Sequence, residues 1–232
     1  MKRMICAYVF GVILFVACTK KDPEQGVAIG SAGAKAVSGS SCSKEIITDR
    51  VLKIGETGVI LPVGTRLCIG DDIAVELPAG YSYETNSPAE ERSLPFNFAT
   101  YHCICMGGGA CQVAYTEGMG FGCFHSSCPG TCTGNFIYKG YSVNRVVWNL
   151  GTNDDLFNDE VILKFIEANY TSGSHELFGA RFTIGNPEGA SCDCEGTRAC
   201  VIKTKTLSKG KLVYCDGPCN GCELTVNKVP VF

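Results

Sequence analysis

The chain has 232 residues, of which 20 are Lys or Arg and 23 are Asp or Glu, so its formal net charge is −3. This slightly acidic balance, without a basic cluster in the body of the chain, argues against nucleic-acid binding, which needs positive charge to meet phosphates. The sixteen cysteines are its unusual feature. In so short a chain they indicate disulfide bonds in an oxidising compartment or, as the alternative, metal ligands.

The first residues predict export from the cytoplasm. Residues 1–4 (MKRM) are basic, residues 5–17 (ICAYVFGVILFVA) are apolar, and Cys18 follows the small residue Ala17. This arrangement resembles the signal of a bacterial lipoprotein, which is cut before a cysteine that then carries lipid. The resemblance implies a signal peptide over residues 1–17 and lipidation of Cys18. An uncleaved anchor is the weaker alternative, because the apolar run of about 13 residues is shorter than the roughly 20 that span a bilayer.

Residues 18–42 are predicted to be the lipidated cysteine and a flexible tether. Residues 19–41 contain no aromatic side chain and many Gly, Ser and Ala residues, so they bury too little apolar surface to offset the entropy lost on ordering. Residues 20–24 (KKDPE) resemble the acidic-and-lysine signal that sends some lipoproteins to the outer face. The two resemblances imply a lipid-anchored protein of the cell envelope, at the outer membrane, on its periplasmic or surface face.

Twelve of the remaining cysteines form two copies of one pattern, about 90 residues apart. Each copy begins C-x-C-x5-C and closes with three cysteines in a short segment that contains Pro and Gly. The first copy comprises Cys103, Cys105, Cys111, Cys123, Cys128 and Cys132, and the second comprises Cys192, Cys194, Cys200, Cys215, Cys219 and Cys222. We therefore predict two modules, residues 43–134 and 135–227, and a C-terminal tail at 228–232.

Segments upstream of the cysteines also match between the copies. Residues 59–65 (VILPVGT) resemble 146–152 (VVWNLGT), and residues 71–77 (DDIAVEL) resemble 159–165 (DEVILKF). The first-copy segments are short, rich in β-branched residues and separated by turn residues, which predicts strands. The predicted fold class is therefore mainly β, with two tandem small disulfide-rich β modules after the signal and tether.

Residues 158–170 (NDEVILKFIEANY) fit two predictions. The acidic residues in the first turn and the spacing of the apolar residues allow a helix. The aligned first-copy segment contains Pro78 and Gly80, which a helix interior resists. If the two copies share one fold, a strand is the better prediction for this segment.

The cysteines are predicted to form disulfides. The two cysteines of a C-x-C pair do not readily bridge each other, because disulfide geometry strains so small a ring, so each pairs with a later cysteine. Six cysteines allow fifteen connectivities, and the sequence does not choose among those that remain. Cys42 and Cys68 have no counterpart in the second copy and are predicted to pair with each other.

Metal binding is the competing hypothesis for the same cysteines. A C-x-C and a C-x2-C supply four thiolates of the kind that zinc or an iron–sulfur centre uses, and His102 and His125 add imidazoles. The imidazoles occur in one copy only, and six sulfurs divide naturally into three disulfides. The prediction is therefore no metal and no cofactor. Cys219 and Cys222 also have redox-motif spacing, but their Pro/Gly coil favours a structural bridge.

The remaining polar candidates have simple structural explanations, and no catalytic residue is predicted. The acidic pairs at 71–72 and 159–160 lie between strand-like runs, where turns are ordinary. Residues 153–159 offer several oxygen ligands but lack the alternation and the glycine of a calcium loop. No serine lies in a Gly-x-Ser-x-Gly setting. The sequence therefore predicts a protein that is not an enzyme.

A Gly-rich loop region of the first copy is the candidate partner-binding surface. Its apolar, aromatic and imidazole side chains are Met106, Tyr115, Met119, Phe121, Phe124 and His125. Aromatic side chains on a stapled loop suit binding because little entropy is lost on contact; the alternative is that they fill a small core. In the second copy the matched loop carries Lys203, Lys205, Lys209 and Lys211 instead.

The cysteine pattern and the signal together resemble cysteine-rich bacterial lipoproteins of the cell envelope. The function that this implies is non-catalytic: adhesion, scaffolding or capture of a protein or glycan partner at the cell surface, with the membrane contacted through the lipid anchor. The alternative is a metal-binding or thiol-redox protein of the cell envelope.

Overall fold

The computed structural model of the chain describes residues 42–55, 57–86, 98–117, 120–185, 189–193, 199–217 and 222–226. All of them belong to the second of the two units into which the chain divides, residues 36–232. The predicted signal peptide, Cys18, the tether up to residue 41 and the tail at 228–232 lie outside the described residues.

The described residues form seventeen strands and two helices. The strands are β1 (Lys44–Ile47), β2 (Leu52–Lys53), β3 (Ile60–Leu61), β4 (Arg66–Ile69), β5 (Ile73–Glu76), β6 (Tyr81–Thr85), β7 (Phe98–Met106), β8 (Cys111–Thr116), β9 (Gly120–His125), β10 (Thr131–Tyr138), β11 (Tyr141–Trp148), β12 (Gly173–Leu177), β13 (Ala180–Gly185), β14 (Ala190–Asp193), β15 (Val201–Leu207), β16 (Gly210–Asp216) and β17 (Glu223–Val226). The helices are α1 (Asn153–Phe157) and α2 (Glu160–Asn169). The mainly β fold class is confirmed.

Two larger antiparallel sheets organise the fold. The first has seven strands in the order β1-β4-β5-β7-β10-β11-β6, and the second has four in the order β12-β13-β16-β15. Three further pairs, β2–β3, β8–β9 and β14–β17, form two-stranded sheets. Alternation with a period of two explains the strands: in β5, for example, Ile73 and Val75 are fully buried while Ala74 and Glu76 are partly exposed.

The segment at 158–170 is a helix, so the strand prediction for it was wrong. The Asp159 carboxylate accepts hydrogen bonds from the backbone N–H groups of Val161 and Ile162 and so caps α2. Ile162 and Ile166, one turn apart, are fully buried. The Pro and Gly of the first copy do not occur in this segment, and its own cap and apolar spacing determine its structure. Neither α1 nor α2, the helices of the described part, is long and apolar enough to span a membrane.

One continuous core underlies both sheets. It includes Tyr83 and Phe136 of the first sheet, whose rings meet edge to face at 5.6 Å between centroids. It also includes Phe157 of α1 and Tyr214 of β16, whose ring centroids are 4.7 Å apart. The predicted boundary at residues 134 and 135 lies inside β10, a strand paired without interruption with β7.

The two sheets join where β11 meets the turn between β12 and β13. The Trp148 backbone N–H donates to the Phe178 carbonyl at 2.9 Å. The Phe178 ring also packs edge to face on Tyr81, with 5.1 Å between centroids. Backbone and aromatic contacts therefore fix this junction.

Candidate functional site: two cystine motifs

The first set of cysteines forms a two-layer structure, here called motif 1 (β7 to β10). One layer is the antiparallel pair β7–β10, and the other is the hairpin β8–β9. Because side chains alternate along a strand, the C-x-C spacing puts Cys103 and Cys105 on one face of β7, and that face points at the hairpin. The Tyr101 ring, on the same face, packs on Phe121 of the hairpin with 4.8 Å between centroids. Disulfides and apolar side chains fill the space between the layers.

The second set forms motif 2 (β14 to β17) with the same strand pairing. In motif 1, Cys103 lies opposite Gly134, two residues after the last cysteine of the copy. In motif 2, Cys192 lies opposite Leu224, again two residues after the last cysteine. The pairs β7–β10 and β14–β17 therefore share one register.

The hairpins of the two motifs also share their register. In motif 1, Cys111 lies opposite His125. In motif 2, Val201 lies opposite Asp216, and extending that ladder by one position places Cys200 opposite Gly217. The sequence repeat is thus a repeat of register as well as of spacing. The difference at one corner is chemical, since an imidazole in motif 1 is replaced by a glycine in motif 2.

Six disulfides are present among the described residues, as the cysteine pattern predicted. They are Cys42–Cys68, Cys103–Cys123, Cys105–Cys128, Cys111–Cys132, Cys192–Cys215 and Cys200–Cys222. In motif 1 the first cysteine pairs with the fourth, the second with the fifth and the third with the sixth. Motif 2 has the same first-to-fourth and third-to-sixth bridges. Its second and fifth cysteines, Cys194 and Cys219, lie outside the described residues.

Motif 1 also contains a compact group of sulfur and nitrogen atoms. The Sγ atoms of Cys105, Cys111 and Cys128 lie within 4.8 Å of one another. A ring nitrogen of His125 lies within the same distance of the Sγ atoms of Cys128 and Cys132. The sequence offered both the cysteines and the imidazole, but only the pairing of strands shows that His125 belongs to this group. His102 lies on the opposite face of β7 from the cysteines, because it alternates with them along the strand.

The candidate partner-binding residues divide between core and surface. Phe121 is 4% exposed and belongs to the core, and Tyr115 is partly buried against it. Met106 and Phe124 are 66% and 53% exposed, and His125 is also exposed. Met119 lies outside the described residues. The predicted set is therefore not one continuous surface.

The outer face of β7 and β10, turned away from the hairpin, is free of Lys, Arg, Asp and Glu. On β7 it carries Phe98, Thr100, His102, Ile104 and Met106, and on β10 it carries Thr131, Thr133, Asn135 and Ile137. Phe98 and Ile104 are 40% and 42% exposed, which adds to the exposed Met106. Sequence reasoning missed this face because its members alternate with buried residues on two strands.

The acidic residues that resembled a calcium site have structural partners. The Asp155 carboxylate accepts from the Thr152 backbone N–H at 2.7 Å and caps α1. Asp159 caps α2, and Asp154 accepts a hydrogen bond from the Tyr214 hydroxyl. In the other acidic pair, the carbonyl of Asp72 accepts from the Gly70 N–H across the turn between β4 and β5. The carboxylates of Asp154, Asp155 and Asp159 therefore have partners within the fold, and residues 71–72 form the turn that their position predicted.

Burial and hydrogen bonding perturb the Asp154 and Tyr214 pair. The Tyr214 hydroxyl is the main cause that lowers the pKa of Asp154. Burial raises the pKa of Tyr214 well above its ordinary value, and the neighbouring Asp154 adds to that shift. Lys203 and Lys205 of β15 contribute weaker attraction to Asp154. Two of the four lysines in the matched loop, Lys203 and Lys205, therefore lie on the edge strand β15 and attract the Asp154 carboxylate of α1.

A chain of ion pairs crosses the junction between the sheets, and sequence patterns do not reveal it because its members are distant along the chain. Arg145 of β11 pairs with Glu84 of β6 and with Glu176 of β12. Arg181 of β13 then pairs with Glu176 and with Glu223 of β17. The chain thus links both sheets and motif 2.

Comparison with protein-family models, with curated proteins and with solved structures found no match for this chain.

Proposed function

We propose that this chain is a lipid-anchored protein of the cell envelope whose two cystine motifs serve binding, adhesion or scaffolding. The observation that carries the proposal is that all twelve cysteines of the described residues are paired, and that the two bridges described in motif 2 match two bridges of motif 1. Such pairing persists in oxidising compartments outside the cytoplasm. It agrees with the lipoprotein-like sequence around Cys18, which sends the mature chain to such a compartment.

The polar contacts support a non-catalytic role. The carboxylates of Asp155 and Asp159 cap helices, and that of Asp154 accepts from Tyr214. An Nε2 contact at 2.8 Å joins His175 to the Thr171 carbonyl. The exposed Met106 and Phe124, with His125, are the members of the predicted loop set that a protein or glycan partner at the cell surface would contact. Met and aromatic side chains are enriched in the cores of protein interfaces.

Acylation and oxidation provide the test. Wild-type chain expressed in a bacterial host should incorporate labelled palmitate and appear in the membrane fraction, whereas Cys18→Ala should do neither. Membrane retention of Cys18→Ala without label would mean that the apolar segment is the anchor.

Peptide mapping without reductant should find all fourteen cysteines after Cys18 oxidised, including a Cys194–Cys219 pair. A disulfide between any cysteine of motif 1 (residues 103–132) and any cysteine of motif 2 (residues 192–222) would contradict the two-motif proposal.

A further inference from the structure

The sulfur and nitrogen group of motif 1 has the geometry of a second, different site. Cys105 and Cys132 lie directly opposite each other in the β7–β10 ladder. Cys111 and His125 lie directly opposite each other in the facing hairpin. Two cross-strand pairs on facing layers thus supply four donors, and Cys128 enters from the loop between β9 and β10. The strand ladders, as well as the disulfides, fix these positions.

We propose that, when Cys105–Cys128 and Cys111–Cys132 are reduced, three of the four freed thiolates and His125 bind one zinc ion. Thiolate sulfur and imidazole nitrogen in a tetrahedral arrangement are the donors that zinc prefers. With zinc–sulfur bonds of about 2.3 Å, tetrahedral ligands lie about 3.8 Å apart. Within each of two groups that share Cys128, namely Cys105 with Cys111 and His125 with Cys132, the donors lie within 4.8 Å of one another. Donor pairs inside a group therefore need to approach by no more than about 1 Å.

The site exists only in the reduced chain, because a disulfide sulfur carries no thiolate. With a phosphine reductant, each bridge consumes one phosphine and one water and yields two thiols and one phosphine oxide. Zinc then displaces one proton from each thiol that it binds. This inference goes beyond the proposed function and does not depend on it, since it concerns zinc binding by the purified chain and not its place in the cell.

Motif 2 provides an internal comparison. It has the same cysteine pattern, but Gly217 occupies the position of His125 in the hairpin register. Motif 1 itself provides a matched control, since His102 is only 23 residues from His125 in sequence but lies on the opposite face of β7 from the cysteines. A zinc site that uses His125 should therefore depend on that imidazole and not on His102.

The experiment is zinc titration of the purified full-length chain after anaerobic treatment with a phosphine, followed by native mass spectrometry. We expect no zinc on the oxidised chain and one zinc on the reduced chain, and cobalt should give the intense visible absorption of a tetrahedral thiolate site. Loss of an outer-shell partner of a ligand already weakens metal affinity by about tenfold or more. His125→Ala removes a ligand itself and should weaken zinc affinity by at least that much, whereas His102→Ala should not change it.

Hydrogen exchange provides a second measurement in case reduction unfolds motif 1. Zinc should then restore amide protection in β8 and β9 of the wild type and of His102→Ala, but not of His125→Ala. The proposal fails if the reduced chain takes up no zinc, if the oxidised chain takes it up equally, or if His125→Ala binds as tightly as the wild type.

Discussion

The two cystine motifs share register and the first-to-fourth and third-to-sixth bridges, but they join the rest of the fold through opposite layers. In motif 1 the pair β7–β10 is part of the seven-stranded sheet, and the hairpin β8–β9 has no other strand partner among the described residues. In motif 2 the hairpin β15–β16 is part of the four-stranded sheet, and β14–β17 is the layer that pairs only with itself there. In both motifs, disulfides cross from the layer inside a larger sheet to the layer outside it. The comparison indicates that these bridges replace missing ladder hydrogen bonds.

The two motifs pack their layers with large and small residues in exchanged positions. Tyr101 of motif 1 is 1% exposed and lies beside Gly134, where a Cβ atom would come within 1.9 Å of the tyrosine oxygen. The register-equivalent residues of motif 2 are Ala190 and Leu224. Each motif therefore combines one large and one small side chain at this place, as constant volume requires.

Removal of the first-to-fourth bridge should have the largest effect on stability. We expect Cys192→Ala/Cys215→Ala to lose about 2 to 5 kcal/mol of unfolding free energy, because a bridge is lost and a buried sulfur at Cys215 is removed. Cys103→Ala/Cys123→Ala should lose less, since Cys123 is only partly buried. Urea denaturation measures both losses.

Hydrogen exchange on the same variants tests which of the two layers of a motif depends on the bridge for its stability. Amides of β14 and β17 should exchange faster in the motif 2 variant, and amides of β8 and β9 in the motif 1 variant. Cys42→Ala/Cys68→Ala is the control, because its bridge joins Cys68 of β4 to Cys42 just before β1, and these two strands already share a ladder. Equal acceleration in both layers of a motif would contradict the proposed division.

The equivalence of the two motifs could be predicted from the sequence, but the layer through which each motif joins a larger sheet could not. The cysteine spacing predicted two equivalent units because C-x-C places both sulfurs on one face of a strand. It did not predict which layer joins a larger sheet, because that depends on pairing with β5 and β13, which are distant in sequence. The similarity of Glu160–Asn169 to a strand in the other copy wrongly predicts a strand, because the Asp159 cap and the buried Ile162 and Ile166 favour a helix locally.

The exchange of large and small residues gives the next largest effect. Gly134→Leu should destabilise the chain by about 1 to 3 kcal/mol, because the new side chain overlaps Tyr101. Tyr101→Ala/Gly134→Leu, which copies motif 2, should recover part of that loss. Gly122→Ala is the control, since a Cβ there meets nothing within 4 Å. Thermal melting compares the four proteins, and a double variant no more stable than Gly134→Leu alone would contradict the exchange.

The ion pairs across the sheet junction should contribute less. Arg145 is 45% exposed in its side chain, so water screens its pairs, and Arg145→Gln should cost about 0.2 to 1 kcal/mol. Added salt should reduce the difference from the wild type. Arg50→Gln should have no measurable effect, because Arg50 pairs with its sequence neighbour Asp49. A loss for Arg145→Gln that is independent of salt would indicate a packing role instead.

The smallest expected effect is the pH dependence of the contact between Tyr214 of motif 2 and Asp154 of α1. Tyr214, register-equivalent to Gly122 of motif 1, donates to Asp154 and lowers the pKa of that carboxyl. A lowered folded pKa stabilises the fold above the unfolded value of about 3.9, and this stabilisation disappears as pH falls through the folded pKa. Asp154→Asn should therefore show a shallower loss of stability below about pH 4 than the wild type.

At alkaline pH the same pair acts with the opposite sign. Burial raises the pKa of Tyr214, so its contribution is complete below the unfolded value of about 10 and is lost as pH rises above it. Tyr214→Phe should reduce the loss of unfolding free energy above about pH 10. Below about pH 4, the double variant Tyr214→Phe/Asp154→Asn should lose stability as steeply as Asp154→Asn alone. Urea midpoints across the pH range measure both limbs, and hydrogen exchange assigns them to β15 and β16. An acid limb equally steep in Asp154→Asn would show that other carboxylates govern it.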